Sequence, residues 1–369
     1  MRARFLAAVV LVAVLGGVLA WRLSRPPAFH EPASVAALAH ALDAVVAPAL
    51  RREHVPGAAV AVVRSGRVAW ARGYGNARRR TPVTAHTVFQ VASVSKPVAA
   101  MGALRLVEEG RLALDRPVTA WRFPPSEHDA RGVTLRRLLS HTAGLSVPGY
   151  GGHDPGRPLP ETSASLGGDS AGAGPVRLVA EPGSGYRYSG GGYTVAQLAI
   201  ERAVGEPFAA WMRRAVLRPL GMTSSSFDPA AADGPRAARA HDRNGRPMPT
   251  YRYAEQAAAG LHASAEDLGR FVAALMPGPR REPPGRGVLR VGGVRAMTTP
   301  APASGGGYGL GLELEELAGG VRMISHGGTN RGWRAQIAAF PDRGWGIAVL
   351  TNGENGQAII DAAMRELVS

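Results

Sequence analysis

The sequence contains no cysteine among its 369 residues. This absence excludes a disulfide framework, thiolate-bound metal sites and a cysteine nucleophile. Aromatic residues are few, at 6% of the chain, whereas hydrophobic residues reach 45% and charged residues 19%. Such a composition is ordinary for a packed globular protein and argues against disorder. The length suits one large domain, or a domain that carries an insertion.

Lysine is almost absent, because 42 of the 43 Lys and Arg residues are arginine and only Lys96 is lysine. Arginine keeps its proton in a protein, whereas a desolvated lysine can lose it. Lys96 is therefore a candidate for a role that requires deprotonation. The net charge of +15 raises the question of nucleic-acid binding. The arginines lie in short scattered runs without interleaved aromatics or a known binding motif, so we expect no nucleic-acid partner.

Residues 1–25 have the pattern of an export segment, because basic residues precede an uninterrupted apolar run over residues 5–21. The run is long for the apolar part of a signal peptide and short for a membrane span, which needs roughly 20 residues. Residues 18–20 offer a small-residue cleavage site, but Trp21 and Arg22 follow it directly. We therefore expect a periplasmic or otherwise extracytoplasmic protein, membrane-anchored by this run rather than released by cleavage.

After a Pro-rich linker at 26–33, strand patterns occur near both ends of the chain and helical patterns between them. This order predicts an α+β fold in which N- and C-terminal strands form one antiparallel sheet flanked by helices, with an inserted, mostly α-helical lobe. We assign 34–110 and 300–369 to the α/β part and 111–299 to the lobe. The expected site is a pocket between the two.

The predicted strands cover 57–64, 67–73, 87–92, 308–314, 321–325, 335–340 and 346–351. The predicted helices cover 34–52, 93–109, 135–139, 194–204, 208–217, 265–275 and 356–367.

The motif Ser93-Val94-Ser95-Lys96 lies where a strand is predicted to end and a helix to begin. Residues i and i+3 share a helix face, so the Ser93 hydroxyl and the Lys96 amine can meet. A serine hydroxyl needs a base to take its proton, and an apolar pocket lowers the pKa of an amine. We therefore predict Ser93 as a nucleophile, with Lys96 as its base or part of the relay. The alternative is a helix-capping serine beside a surface lysine.

A second group, residues 186–193 (YRYSGGGY), precedes a helical pattern. The phenol of Tyr188 could project from such a turn into a cleft. Beside a cationic lysine its pKa would fall, and the phenolate would be a competent base. The alternative is a glycine-rich turn with core aromatics.

A third group, residues 325–330 (SHGGTN), is predicted at the end of a strand. Its glycines would let a substrate approach the strand backbone, and backbone N–H groups there could help to form an oxyanion hole. His326 could hold a substrate group or the tyrosine. The alternative is a glycine-containing β-turn after an edge strand.

In this order, the three groups resemble the signature motifs of the serine β-lactamase and penicillin-binding-protein superfamily. The surrounding sequence is most similar to the class C β-lactamase-related branch. Further matching segments are 138–145 (LLSHTAGL), 188–193 (YSGGGY), 218–222 (RPLGM) and 350–352 (LTN). Within the first of them, we expect His141 to structure the turn after a helix.

The resemblance implies a serine hydrolase that acts through an acyl-enzyme on an ester, an amide or a D-amino-acid peptide, with a β-lactam or a cell-wall peptide as a further candidate substrate. It implies acylation of Ser93, with Lys96 and Tyr188 sharing proton transfer in an order that the sequence leaves open. The implied oxyanion hole uses the backbone N–H groups of Ser93 and Thr329, with Gly328 and His326 in the same substrate-binding segment. We expect no cofactor and no metal, since no metal-ligand motif occurs.

Two departures from the β-lactamases concern Gly190, where they carry Asn, and His326, where they carry Lys. The first removes a side-chain amide, and the second replaces a permanent cation with a group that is largely neutral at pH 7. Both lower the expected efficiency of β-lactam hydrolysis. Arg331 and Arg334 follow closely and could supply the missing charge.

Two alternatives stay open. One is a penicillin-recognising or cell-wall-binding protein that acylates without turnover. The other is an α/β-hydrolase with Ser170 as nucleophile, because residues 168–172 match G-x-S-x-G. That elbow requires a strand before the serine and a helix after it, and here small polar residues flank both sides.

Overall fold

A computed structural model describes residues 26–369, so the predicted export segment at 1–25 lies outside the described residues. Over 26–369, no helix combines the length and the apolarity that crossing a membrane requires. The fold class is α+β, as predicted, with one large antiparallel sheet between layers of helices.

The sheet has seven strands in the order β3-β2-β1-β9-β8-β7-β6, and a separate two-stranded sheet pairs β4 with β5. The strands are β1 (Gly57–Arg64), β2 (Arg67–Arg78), β3 (Thr81–Pro82), β4 (Phe89–Gln90), β5 (His262–Ala263), β6 (Glu313–Leu317), β7 (Val321–Asn330), β8 (Trp333–Phe340) and β9 (Trp345–Thr351).

The α-helices of the described residues are α1 (Val35–Arg52), α2 (Ser95–Glu108), α3 (Leu135–Leu139), α4 (Thr162–Leu166), α5 (Gly190–Val204), α6 (Phe208–Met212), α7 (Gln256–Ala259), α8 (Ala265–Ala274), α9 (Val291–Met297) and α10 (Gln357–Met364). A π-helical turn, Arg213–Leu217, continues α6, so the helix predicted over 208–217 is formed in two parts.

Strands β1 and β9 lie at the centre of the sheet because their sequences are almost entirely apolar. Every residue of β9 and all but the last of β1 are buried. One face is covered by α1 and α10, which contribute residues such as Leu42 and Ile359 to the core beneath them. The other face packs against α8 and a larger core that extends to α2 and the helical lobe. This second face carries the candidate site.

Helix α1 and the β1–β2 hairpin form where the sequence predicts them. Ser34 caps α1 by accepting a hydrogen bond from the Ala37 N–H at 3.1 Å. The turn at Ser65-Gly66 joins the hairpin, because both residues adopt positive φ. Strand β2 runs five residues past the predicted end at Gly73, since its C-terminal part pairs with β3.

Three further predicted strands are wrong in position or extent. The segment 308–314 is largely irregular, because Gly311 adopts a φ of +93° and interrupts the extended backbone. The strand there is instead the acidic β6. The segment 87–92 keeps only the two residues of β4, and Ala92 turns away with a φ of +50°. Strand β7 continues through 326–330, so the third sequence group lies inside a strand rather than in a turn after it.

Candidate active site

Ser93 lies in a 3₁₀ turn, Ala92–Val94, immediately before α2. The turn is strained, because Ala92 has a left-handed φ of +50°. The Ser95 hydroxyl holds it in place by donating to Ala92 O at 2.5 Å and accepting from the Leu261 N–H at 2.9 Å. Pro97 falls in the first turn of α2, where its missing N–H costs little. The Ser93 hydroxyl is thereby fixed beside the N-terminus of a buried helix.

Lys96 is buried, with 2% of its surface exposed. Its Nζ lies 2.9 Å from Ser93 Oγ and 2.7 Å from Ala258 O, at the end of α7. Among the ion pairs of the described residues, none involves Lys96. Burial without an anion lowers the pKa of Lys96 to about 7. The amine can therefore be neutral, and able to accept a proton, near neutral pH.

Tyr188 meets the same hydroxyl from the lobe, with its Oη 2.9 Å from Ser93 Oγ. The next residue, Ser189, caps α5 by accepting from the Gly192 N–H at 3.0 Å, and its own N–H donates to His141 Nδ1 at 3.1 Å. The rings of His141 and Tyr188 pack with centroids 4.3 Å apart. A helix cap and a buried histidine thus fix the phenol, and His141, at a φ of +58°, follows α3 in the turn that was expected.

The expected fall in the pKa of Tyr188 is wrong. Burial raises this pKa to about 12, with a smaller opposing effect of the hydrogen bond to Ser93. The phenol therefore stays protonated at neutral pH and donates its proton to the Ser93 oxygen.

His326 lies within β7 and is 1% exposed. Its Nε2 contacts the Tyr308 hydroxyl at 3.0 Å and its Nδ1 contacts Gly327 O at 2.7 Å. The tyrosine that it holds is thus Tyr308 rather than Tyr188. Burial lowers the pKa of His326 to about 3, so the ring is neutral.

Strand β7 passes close to the Ser93 turn at Gly328, where a Cβ would lie 2.2 Å from Val91 O, so only glycine fits. Thr329 is paired with Arg334 on β8. The next pair, Asn330 and Trp333, closes the two-residue turn between the strands. Hydrogen-bonded and non-bonded pairs alternate along an antiparallel ladder. The Thr329 N–H therefore points away from β8.

On that side of β7, strand β6 pairs only as far as Ser325, which faces Glu313. The Thr329 N–H therefore lies along an edge that β6 leaves open beside the Ser93 turn. A backbone N–H that is unpaired beside a nucleophile can serve as an oxyanion donor.

Glu313 marks the corner where the open edge of β7 begins. Ser325 Oγ donates to its Oε2 at 3.2 Å. The side chain is exposed, yet the surrounding protein raises its pKa by desolvation. Its negative charge contributes to the raised pKa of Tyr186 and of Tyr188. A carboxylate therefore stands at the rim of the site.

Neither Arg331 nor Arg334 makes a recorded contact with Ser93, Lys96 or Tyr188. The Arg331 guanidinium stacks over the Tyr251 ring, 4.1 Å from its centroid. Arg334 donates to Asn330 O at 2.9 Å and to Trp333 O at 2.7 Å. Both are engaged with the hairpin and its neighbours.

The G-x-S-x-G alternative does not fit the structure. Ser170 lies in a short turn after α4, and its Oγ donates to Ala173 O at 2.8 Å. Neither the strand nor the helix of a nucleophile elbow flanks it, and the fold is not that of an α/β-hydrolase.

Sequence reasoning missed groups that act through backbone atoms or packing. Ala258 supplies a carbonyl to Lys96, and a carbonyl has no signature in the sequence. Ser95 belongs to the first motif, but its part in holding the turn depends on Leu261, which is distant in sequence. Tyr308 contacts His326 from an irregular segment that was predicted as a strand.

Comparison with known proteins agrees with this geometry. The profile of the Beta-lactamase family matches residues 42–368. Esterase EstB from Burkholderia gladioli is 32% identical over 88% of this chain and 92% of its own length. The unguisins hydrolase ungD' from Aspergillus campestris is 28% identical over 84% of this chain, which spans only 60% of that relative.

Among solved structures, the octameric penicillin-binding protein homologue from Pyrococcus abyssi superposes with a TM-score of 0.73 at 25% identity. The match covers 89% of this chain and 79% of that one. The motifs, the fold and the matched length agree. The chain therefore belongs to the Beta-lactamase family, as a serine hydrolase.

Proposed function

We propose that the protein hydrolyses neutral esters or amides, D-amino-acid peptides with a blocked C-terminus among them, through an acyl-enzyme on Ser93. One observation carries the proposal: a buried lysine without a counter-ion contacts the serine hydroxyl that a tyrosine also contacts. The likeness to an esterase along nearly its whole length supports the same reaction class.

In the proposed acylation, neutral Lys96 accepts the Ser93 Oγ proton while its own N–H donates to Ala258 O. The serine oxygen then attacks the substrate carbonyl carbon, and the carbonyl π electrons move to oxygen. The N–H groups of Ser93 and Thr329 would stabilise this oxyanion. A pKa of about 7 suits Lys96 to the step, because a base works best when its pKa lies near the operating pH.

The tetrahedral intermediate then expels the alcohol or amine, which needs a proton. Tyr188 Oη lies next to Ser93 Oγ. The phenol can therefore donate its proton to the leaving group and take up the proton that Lys96 holds. Water next attacks the ester carbon of the acyl-enzyme, and its proton follows the same route in reverse. Release of the acid restores the Ser93 hydroxyl and neutral Lys96.

The charges around the site support neutral substrates over β-lactams, whose carboxylate requires a cation. His326 is neutral, Gly190 has no side chain, and Arg331 and Arg334 are engaged elsewhere. Glu313 adds a negative charge at the rim, which disfavours an anionic substrate. We infer that β-lactam hydrolysis is slow relative to ester hydrolysis.

The test compares 4-nitrophenyl acetate and butyrate, D-Ala-D-Ala peptides and nitrocefin on the purified protein. Ser93→Ala should abolish turnover of every substrate that the parent hydrolyses. Ser170→Ala is a matched control and should retain it. Activity that survives Ser93→Ala in a folded variant would contradict the proposal, and a burst without steady turnover would favour a protein that acylates but does not hydrolyse.

We also propose that the enzyme works outside the cytoplasm, held at the membrane by residues 5–21. The support is the sequence alone, with basic residues ahead of an apolar run. Fractionation of cells that express the full chain should recover the protein in the membrane fraction, sensitive to protease from the outer side. Recovery in the cytosol would contradict this.

A further inference from the structure

The two proposed oxyanion donors come from different parts of the fold, Ser93 from the turn before α2 and Thr329 from β7. Donors to an oxyanion act only when their spacing is fixed to within a fraction of an ångström. Some contact must therefore hold β7 against the turn. The inference below rests on the proposed function, because it concerns these two N–H groups.

A pair of buried amide side chains joins the two elements. Asn330 follows Thr329 directly, and its Nδ2 donates to Gln90 Oε1 at 3.1 Å. Gln90 lies on β4, three residues before Ser93. Only 7% of Asn330 and 1% of Gln90 is exposed. The pair is thus shielded from water, so a lost hydrogen bond cannot readily be replaced by solvent.

The same amides bind a third element, the segment that ends with α7. Asn330 Nδ2 also lies 3.3 Å from Ala259 O, and Gln90 Nε2 donates to Tyr251 O at 2.5 Å. Ala259 follows Ala258, whose carbonyl accepts from Lys96 Nζ. One small network therefore connects the strand with the Thr329 N–H, the chain leading to Ser93, and the carbonyl that holds the base.

We propose that Asn330 and Gln90 are positioning residues, whose hydrogen-bonded pair sets the spacing between the Ser93 and Thr329 N–H groups. Neither side chain forms a hydrogen bond with the Ser93 hydroxyl, so their effect passes through the backbone. Removing either amide breaks the hydrogen bond between them and frees β7 to shift relative to the turn. The loss is expected in the transition state, where the oxyanion exists, and little in substrate binding.

The chain offers a matched control in Asn352. It too is a buried asparagine, 0% exposed, and its Nδ2 donates to Asn76 O at 3.1 Å and Ala77 O at 3.2 Å. Those contacts join the residue after β9 to β2 and touch none of the site residues. Asn352→Ala therefore reproduces the general cost of deleting a buried amide without the proposed effect on the oxyanion donors.

The experiment measures kcat, KM and Tm for 4-nitrophenyl butyrate hydrolysis by the parent, Asn330→Ala, Gln90→Ala, the double variant and Asn352→Ala. Inhibition by phenylboronic acid, which forms a tetrahedral adduct on an active serine, serves as a second readout. Gln90→Met keeps the side-chain volume and replaces Gln90→Ala if the latter fails to fold. Asn330→Ser plays the same part at Asn330.

We expect each single variant to lower kcat by about 10- to 100-fold with KM within about threefold, as for a misplaced oxyanion donor. Boronate affinity should fall with kcat. The kcat of the double variant should lie within about twofold of that of the poorer single variant, because the Gln90–Asn330 contact is lost in all three variants. Asn352→Ala should lower Tm but keep kcat within about twofold of the parent.

Losses of kcat no larger than that of Asn352→Ala, or single-variant losses that multiply in the double variant, would overturn the proposal. Failure of the proposed function looks different: the parent would show no turnover, or turnover would survive Ser93→Ala. In that case, the rate of fluorophosphonate labelling at Ser93 replaces kcat, since phosphonylation develops charge on the same oxygen position. An unchanged labelling rate in both single variants would again overturn the positioning role.

Discussion

Two helices each carry a cation, and they differ in what surrounds it. On α8, Arg270 pairs with buried Asp267 at 2.7 Å. On α2, Lys96 is more deeply buried, at 2% exposure against 35% for the Arg270 side chain, and contacts the neutral groups of Ser93 and Ala258. The α8 charges balance each other and stabilise the fold. At α2 no anion compensates the charge, so the proton is held weakly and becomes available for chemistry.

Exchanging lysine and arginine at the two positions should give the largest difference in kcat/KM between these environments. Lys96→Arg keeps the charge but removes the ability to lose a proton, so kcat/KM for a neutral ester should fall by about 10³-fold or more. The mirror change, Arg270→Lys, keeps a cation beside Asp267 and should leave kcat/KM within about twofold. Comparable losses from both changes would show that the two sites do not differ as described.

Removing the anion from α8 should cost stability and leave the chemistry intact. Asp267 also accepts hydrogen bonds from the Ser224 N–H and the Ser225 hydroxyl, both at 2.8 Å. Asp267→Asn should lower the free energy of unfolding by about 2–3 kcal/mol, measured by urea denaturation. Loss of kcat without loss of stability would contradict the structural role.

Removing the Lys96 cation from α2 should have the opposite effect on the free energy of unfolding. The pKa of Lys96 is about 7 in the fold, against an ordinary value of 10.5 for lysine. Between these pH values the unfolded chain binds one more proton, so the contribution of Lys96 to stability rises with pH across this window and is poorest below it. Lys96→Met should therefore raise the free energy of unfolding by about 2 kcal/mol at pH 7.

That gain should shrink toward about pH 10, where Lys96 is neutral in the fold. Urea denaturation at both pH values, with the parent measured alongside, gives the comparison. A gain that grows with pH would contradict the assignment of a lowered pKa to Lys96.

The smallest expected effect concerns Glu313 at the rim of the active site. Glu313→Gln should improve kcat/KM for a 4-nitrophenyl ester with a terminal carboxylate by about 2- to 5-fold relative to 4-nitrophenyl butyrate, at low ionic strength and about pH 8. Glu316→Gln makes the same change of net charge elsewhere on β6 and is the control. An equal ratio in both variants would remove Glu313 from substrate selection.

Local sequence patterns predicted much of the fold where one physical rule dominates. The period of α1 with its Ser34 cap and the turn between β1 and β2 are examples. Strand β6 was missed because Glu313–Leu317 is an acidic edge segment with no apolar alternation, and its pairing with β7 alone makes it a strand. The apolar segment before it looked like a strand, and its burial is real, but Gly311 breaks the extended backbone.

Within the site, the motifs predicted that Ser93, Lys96 and Tyr188 would meet, and the structure brings them together. The predicted phenolate is wrong because burial raises the pKa of Tyr188 by more than any nearby cation lowers it. That balance depends on the whole surrounding lobe. The carbonyl of Ala258 and the Gln90–Asn330 contact could not be read from the sequence. Both depend on chain segments that are distant in sequence and meet only in the fold.

The pH dependence of kcat/KM for 4-nitrophenyl butyrate tests the central claim most directly, because it reports the titration of the free enzyme's base. The pKa values of His141 and His326 are both lowered by burial, which leaves Lys96 as the site group expected to titrate near neutrality. We predict a rise with pH that levels off above an apparent pKa of about 7. A profile that is flat between roughly pH 6 and pH 9, or one that rises only near the ordinary pKa of lysine, would contradict it.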